Sequence, residues 1–512
     1  MNRATAGLLA GLALMIGPVA AAGADPRQVD DPPTPTDEAV ALVSSPTLRA
    51  ADVADLKAAL RDGDPNLSKV DSDLLRARLL DGAGFDLRSV DGQLTRSLPE
   101  SDLVPLDITV AVDDRVLTEL EAAGLIVDGS YPQYGRVSGR AALSSLSAIA
   151  AIPEVRVIHR EAGFVANTGS VSNQADGSMN TDDARSTWGI DGSGVTVGVL
   201  SDSFASNSGS TSGSGCTRAT TGSSSQSSGD LPASVVNLLD ASGTDEGRAM
   251  AELITDVAPG ADLMFHTATG GQAAFASGIT ELKDCGADVI VDDISYFFEP
   301  MFQDGVIAQA AQDAVDSGVP YFSSAGNQSN KGIDDTFNDS APTSGVVLGD
   351  DFHDFDPGPG VDLFAQVDLD PGEGFAAIMQ WNEPFDAAGP LSNVPGNAGP
   401  GALNDYDLFL FDGPSVNANL LASSVSEQGC SKGSSPSGDP LEFISGTWNG
   451  ASPTSLYLAI EKFCGGATGG FGDHLRVATY GINNGVTSVG WEGDIFMDPQ
   501  IYGHSAAEGA VA

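Results

Sequence analysis

The residues best suited to chemistry in this chain are carboxylates standing at the ends of apolar runs. Asp202 follows the run in VTVGVLSDSF, and in open α/β sheets the groups just past strand ends are the ones that reach ligands. Asp292 and Asp293 stand side by side in DVIVDDIS. Two carboxylates taken out of water need a partner or a proton, so this pair is suited to a cation or a substrate amine, the alternative being a solvated strand end. Asn404, Asp405 and Asp407 crowd the strand NDYDLFLFD and offer oxygen atoms, which makes calcium the candidate ion there; an ordinary solvated acidic strand is the alternative. Of the 5 histidines, His266 sits inside the apolar strand ADLMFHTA and reads as structural. The 4 cysteines, Cys216, Cys285, Cys430 and Cys464, form no C-x-x-C pair, which argues against zinc. Local pairing would join Cys216 to Cys285 and Cys430 to Cys464.

These groups need elements to hold them. Residues 1–24 read as an export signal, with a basic start at Arg3, an apolar run from Leu8 to Val19 and small residues up to Ala24. Residues 25–100 read as an acidic, loosely folded leader, weakly helical around Val53–Leu60 and Leu74–Leu80. Over 101–162 the pattern is strand, helix, strand, strand, helix, strand, which fits a small α/β sandwich. A Gly/Ser/Asn-rich linker follows at 163–185, with the natural place for a maturation cut between Gly163 and Gly177. Over 186–332 apolar strands alternate with amphipathic helices, the pattern of a parallel sheet covered by helices on both faces. Residues 333–482 are rich in Gly, Pro and Asp with short alternating strands, and read as an inserted antiparallel β-sandwich. The α/β pattern resumes over 483–512.

Composition bounds the partners. A chain of 512 residues, 41% hydrophobic, can build several cores. Its formal net charge of -47 argues against nucleic acid and anionic membranes, because phosphate repels it. No uninterrupted apolar stretch reaches the roughly 20 residues of a membrane span.

Four segments in order, VTVGVLSDSF, DEGRAMAELITDVAPGADLMFHTA, ADVIVDDISYFF and VPYFSSAGNQ, resemble the subtilisin-like serine peptidases. The resemblance covers 190–330 and resumes from 488. It implies that Asp202 takes the place of the triad aspartate and that Glu246, aligned on Gly247, stands where the family has its catalytic histidine. It further implies that Ser295, Tyr296 and Phe297 line the cleft and pair with an extended peptide by strand addition, and that Asn327 donates its amide to the oxyanion. The related sedolisins use Glu with Asp and Ser, so a glutamate base for a serine hydroxyl is chemically workable. If Glu246 and Asp202 are close, one of them holds its proton longer and the working pH moves toward acid. Two departures from sedolisins stand out: Met250 lies four residues after Glu246 where an acid is usual, and Asn327 replaces an aspartate.

The family's Gly-Thr-Ser nucleophile motif does not occur. Ser505, in YGHSAAEGAVA, is its nearest imitation, though Glu508 and the few residues that follow are too little for a long helix. The expectation is that this segment leads into the strand before the nucleophile and that the sequence is truncated there. The small sandwich resembles the propeptides of these enzymes, and the insert resembles accessory β-domains of secreted peptidases.

The resemblance thus implies a secreted or periplasmic serine-type endopeptidase, monomeric, acting on polypeptides, needing no cofactor and inactive as the 512-residue chain alone. A peptide-binding pseudopeptidase is the alternative. A third reading makes the insert a carbohydrate- or surface-binding sandwich, for which Trp381 and Trp448 would be the exposed aromatics.

Overall fold

The computed structural model describes residues 53–83, 94–96, 103–161, 163–166, 174–206, 209–327, 332–339, 351–356, 358–387, 399–432, 436–465, 472–482, 490–491 and 501–512. The segment read as an export signal and the opening of the leader up to residue 52 lie outside them. No helix among the described residues is long and apolar enough to cross a membrane.

The leader differs from its reading as loosely folded. Helices α1 (Val53–Arg61) and α2 (Ser72–Gly82) bury Leu56, Leu60, Leu74, Leu75, Leu79 and Leu80. Helices of this length are marginal on their own; here they are held by a core they share with two neighbours. One is the small sandwich, whose strands β1 (Val104–Val110), β2 (Ile126–Tyr131), β3 (Arg136–Ala141) and β4 (Val155–Arg160) form an antiparallel sheet in the order β2-β3-β1-β4. Helices α3 (Asp114–Ala122) and α4 (Leu146–Ala150) bury Val116, Leu120, Leu146 and Ile149 in the same core. The other neighbour is the insert, through Phe409, Phe411, Leu420 and Val425.

The linker reading is also revised. Strand β5 (Phe164–Ala166) and short helices at Ala175–Met179 and Thr181–Trp188 occupy it.

The central sheet is built from β6 (Thr196–Ser201), β7 (Val235–Leu239), β8 (Asp262–Thr267), β9 (Val289–Asp292), β11 (Tyr321–Ser323) and, from the end of the chain, β20 (Ala510–Val511), with the short strand β10 (Ile294–Tyr296) lying off it. The order is β20-β11-β9-β6-β8-β7, all parallel, extended antiparallel by Ala219–Thr221 and Ser210–Ser212. Helices α5 (Glu246–Val257), α6 (Gly271–Asp284) and α7 (Val306–Asp316) cover it. The α6 and α7 side is filled by Phe275, Ile279, Ile307 and Ala311, and the α5 side by Phe204, Ala251 and Phe265. The α/β reading with helices on both faces holds. Strand order reverses around β6, so the carboxyl ends of β6, β8 and β9 frame the crevice where such sheets bind ligands.

The insert is a sandwich of two sheets. In one, β12 (Gly332–Thr336), β14 (Gly374–Trp381), β17 (Leu441–Trp448) and β19 (His474–Ile482) run in the order β17-β14-β19-β12, with Leu94–Arg96 at the β17 edge. In the other, β16 (Leu420–Ser424), β15 (Asp405–Phe411), β18 (Thr454–Cys464) and β13 (Ala365–Leu369) follow one another, with Gly490–Trp491 at the far edge. Alternation along β14 sends Phe375, Ala377, Met379 and Trp381 into the sandwich, and Ala376 and Ile378 against Phe297, Phe298 and Tyr502 of the α/β part. Gln380 ties the two bodies further, donating to Glu299 O at 2.8 Å and accepting from Met301 N at 2.8 Å. Disulfides join Cys216 to Cys285 and Cys430 to Cys464, the pairing expected from the sequence.

Candidate active site

Asp202 directly follows β6, and the loop before α5 folds onto it. Its Oδ2 accepts hydrogen bonds from the Thr244 backbone and, at 2.7 Å, the Thr244 hydroxyl; its Oδ1 accepts from Glu246 N at 3.0 Å and Ser203 Oγ at 3.1 Å. Burial works to raise its pKa, but these hydrogen bonds outweigh it and hold the carboxyl below its ordinary value. So close a wrap requires glycine at 243, where a Cβ would lie 2.5 Å from Asp202 Oδ2. Asp202 therefore acts on the backbone that opens α5 rather than on the Glu246 side chain.

Glu246 is the first residue of α5, where the helix dipole favours a carboxylate. Asp245 before it adopts a left-handed conformation at φ 64° and pairs with Arg248 at 3.0 Å. Gly247 after it lets α5 lie against β8, since a Cβ there would meet the Phe265 ring at 2.3 Å. The Glu246 side chain is buried, and its Oε2 has no hydrogen-bond partner among the described residues. Its neighbour is Asp293, just beyond β9, close enough for each carboxyl to act on the other. Burial first, then the charge of Glu246, push the Asp293 carboxyl up to about 9.

The adjacent acid has a separate fate. Asp292 is buried and its Oδ1 accepts from Ile294 N at 3.0 Å and Ser323 Oγ at 3.0 Å, with His504 Nε2 at 3.2 Å. His504 Nδ1 meets Glu299 at 2.8 Å. Burial opposes a charge on this imidazole, but Glu299 and Asp292 overcome it and raise His504 to about 10. The pair suggested by sequence as one cation or amine site is thus split: Asp292 pairs with His504 and Asp293 faces Glu246.

Ser505 belongs to the Asp292 side. It is buried in the turn Gly503–Ala506, and its Oγ lies 2.8 Å from Ser323 Oγ. Asn327 lies past the carboxyl end of β11 and is exposed. His266 is buried in β8 with Nδ1 2.8 Å from Thr267 O.

Strand β10 carries Ser295 and Tyr296, and its backbone pairs antiparallel with β5, Ser295 opposite Val165 and Tyr296 opposite Phe164. The cleft-lining reading fails to extend to Phe297, which lies beyond the pairing and packs on Tyr480 of the insert at 4.9 Å between ring centroids. In the insert, Asp405 and Asp407 take an ammonium instead of standing solvated, Lys57 Nζ lying 2.7 and 2.9 Å from them. Asn404 is turned away, its amide donating to Glu383 Oε1 at 3.1 Å. Trp381 and Trp448 are buried, which removes the exposed aromatics that the carbohydrate reading needed.

Sequence reasoning missed Asp293 as the partner of Glu246 and His504 as the partner of Asp292. The DD pair was the signal for both; which acid meets which group depends on loops distant in sequence.

No family model matches the chain, and no curated protein matches it in sequence. Among solved structures it is similar to the epidermin leader peptide processing serine protease of Staphylococcus aureus, at 12% identity and a TM-score of 0.30, over 44% of this chain and 61% of that one. It is also similar to fervidolysin of Fervidobacterium pennivorans, a keratinolytic enzyme related to subtilisin, at 15% identity and a TM-score of 0.27, over 46% of this chain and 41% of that one. A third is the Clostridium perfringens CspB protease, at 9% identity and a TM-score of 0.27, over 60% and 66%. The chain spans less than two thirds of the length of each, and at these scores the likenesses carry no argument for function.

Proposed function

We propose that this chain carries the acid–base and substrate-holding parts of an exported serine-type peptidase in which glutamate replaces histidine as general base. The observation that supports it is the Glu246–Asp293 pair at the carboxyl ends of the central strands. Asp293, its carboxyl pushed up to about 9, stands beside Glu246, whose buried Oε2 has no hydrogen-bond partner among the described residues, which is what a base awaiting a hydroxyl proton requires. Asp202 sets the start of α5 and hence the position of Glu246. Asn327 is assigned to the oxyanion, and the attacking serine to a residue other than Ser505, whose hydroxyl is engaged with Ser323.

A second reading, peptide binding without cleavage, draws on the pairing of β10 with β5, since holding an extended strand needs no chemistry. In the peptidase reading the same pairing keeps the cleft occupied by the chain's own 164–166 segment. The test is to express the gene with its reading frame followed past the codon for Ala512 and to assay unfolded casein from pH 3 to 10. Cleavage that falls by ~10²–10⁴ in Glu246→Ala supports the peptidase. Casein bound but uncut, with Glu246→Ala binding it equally, leaves the binding protein.

A further inference from the structure

Strand β15 has two buried faces. Tyr406, Leu408 and Leu410 point into the sandwich core, while Phe409 and Phe411 join the core shared with the leader. By the same alternation Asp405 and Asp407 face the leader, and both carboxylates are fully buried. Glu442, from β17, completes a group in which one oxygen from each of the three acids lies within 4.8 Å of the others. Gln428 joins them, its amide donating to Glu442 Oε1 at 2.7 Å.

Into this group α1 inserts Lys57, whose Nζ lies over the Phe463 ring at 4.0 Å. Among the described residues it is the sole cation in ion-pair contact with Asp405 or Asp407. One ammonium faces three carboxylates, and the shortfall is visible in the hydrogen bonding. Asp405 Oδ1, Asp407 Oδ2 and Gln428 Oε1 are buried with no hydrogen-bond partner among the described residues.

Unpartnered oxygens of carboxylates and an amide, with no nitrogen or sulfur ligand among them, match the coordination of a hard divalent cation. We propose that Asp405, Asp407 and Glu442 form a divalent-cation site of the calcium class for which the Lys57 ammonium is a tethered competitor, so that cation binding and docking of α1 exclude one another. The ligand set differs from the one suggested by the sequence: Asn404 is replaced by Glu442. A divalent ion in place of the ammonium cuts the unmet charge from two to one and gives the unpartnered oxygens a ligand role, and any event that withdraws α1 opens the site. The inference is independent of peptidase activity.

The test uses the full chain, stripped with EDTA and titrated with calcium chloride by calorimetry and thermal unfolding. Lys57→Ala is expected to bind one calcium with Kd at or below ~1 mM and to gain Tm with it. The parent chain is expected to show no saturable binding over that range, and Lys57→Ala/Asp407→Asn to lose it. Because linkage is reciprocal, calcium well above that range speeds amide exchange of residues 53–61 in the parent. If Lys57→Ala unfolds in EDTA and refolds with calcium, the proposal stands; if it stays unfolded with calcium, the proposal fails. It fails equally if folded Lys57→Ala binds no calcium, or if parent and variant bind it alike.

Discussion

Glu246 and Asp293 illustrate how two acids with the same chemistry are given different tasks by their surroundings. Asp293 is neutral in the folded chain up to about pH 9, whereas an ordinary aspartate ionises near 3.8. A carboxyl raised in this way contributes stability that is fully present below about pH 4 and is lost as pH rises toward 9, because the unfolded chain releases the proton first. Asp293→Asn removes that titration at nearly the same side-chain size. The variant is therefore expected to exceed the parent by ~1–3 kcal/mol at pH 8 and to match it at pH 4, in chemical denaturation at both pH values. Equal stability at pH 8 would mean that Asp293 is ionised in the fold. The sequence made the doublet Asp292–Asp293 visible as unusual on an apolar strand. It could not show that His504, 212 positions later, takes one acid and that the first turn of α5 takes the other.

Helices α1 and α2 show the same limit for elements. Their positions were legible from the spacing of Leu56 and Leu60 and from the leucines of 74–80, yet neither segment declares a partner. Lys57 and Asp405 are 348 positions apart, and the outer face of β15 gives no sign in sequence that a helix covers it. The alternating strands of the insert and the buried strands of the central sheet were readable because each carries its own period; the leader's stability lies in contacts that no local window contains. Leu60→Ala, which empties the core between α1, the small sandwich and the insert, is expected to cost ~2–5 kcal/mol. Amide exchange should report it in Phe409 and Phe411 of β15 as well as in α1. An effect confined to α1 would show that the insert does not depend on the leader.

Across the whole molecule, leader, small sandwich and insert meet at His159. Its Nδ1 lies 2.8 Å from Asp71 and its Nε2 2.7 Å from Asp439. Burial disfavours its charge, but the two carboxylates outweigh that and raise it to about 10. For a raised histidine the stabilisation is complete below about pH 6.5 and is lost as pH rises through 10. The parent's Tm should therefore fall between pH 6.5 and 10 more steeply than that of His159→Gln; parallel profiles would show that the imidazole is not charged in the fold.

The pairing of β11 with β20 has a further consequence, in time. Ser323 and Ser505 are 182 positions apart, so a ribosome adding ~5–20 residues per second leaves the β11 edge uncapped for about 10 to 35 s. The insert emerges throughout that wait, after the leader that covers its outer face. The insert is thus made against a leader already synthesised, while β11 waits through all of it for its partner strand.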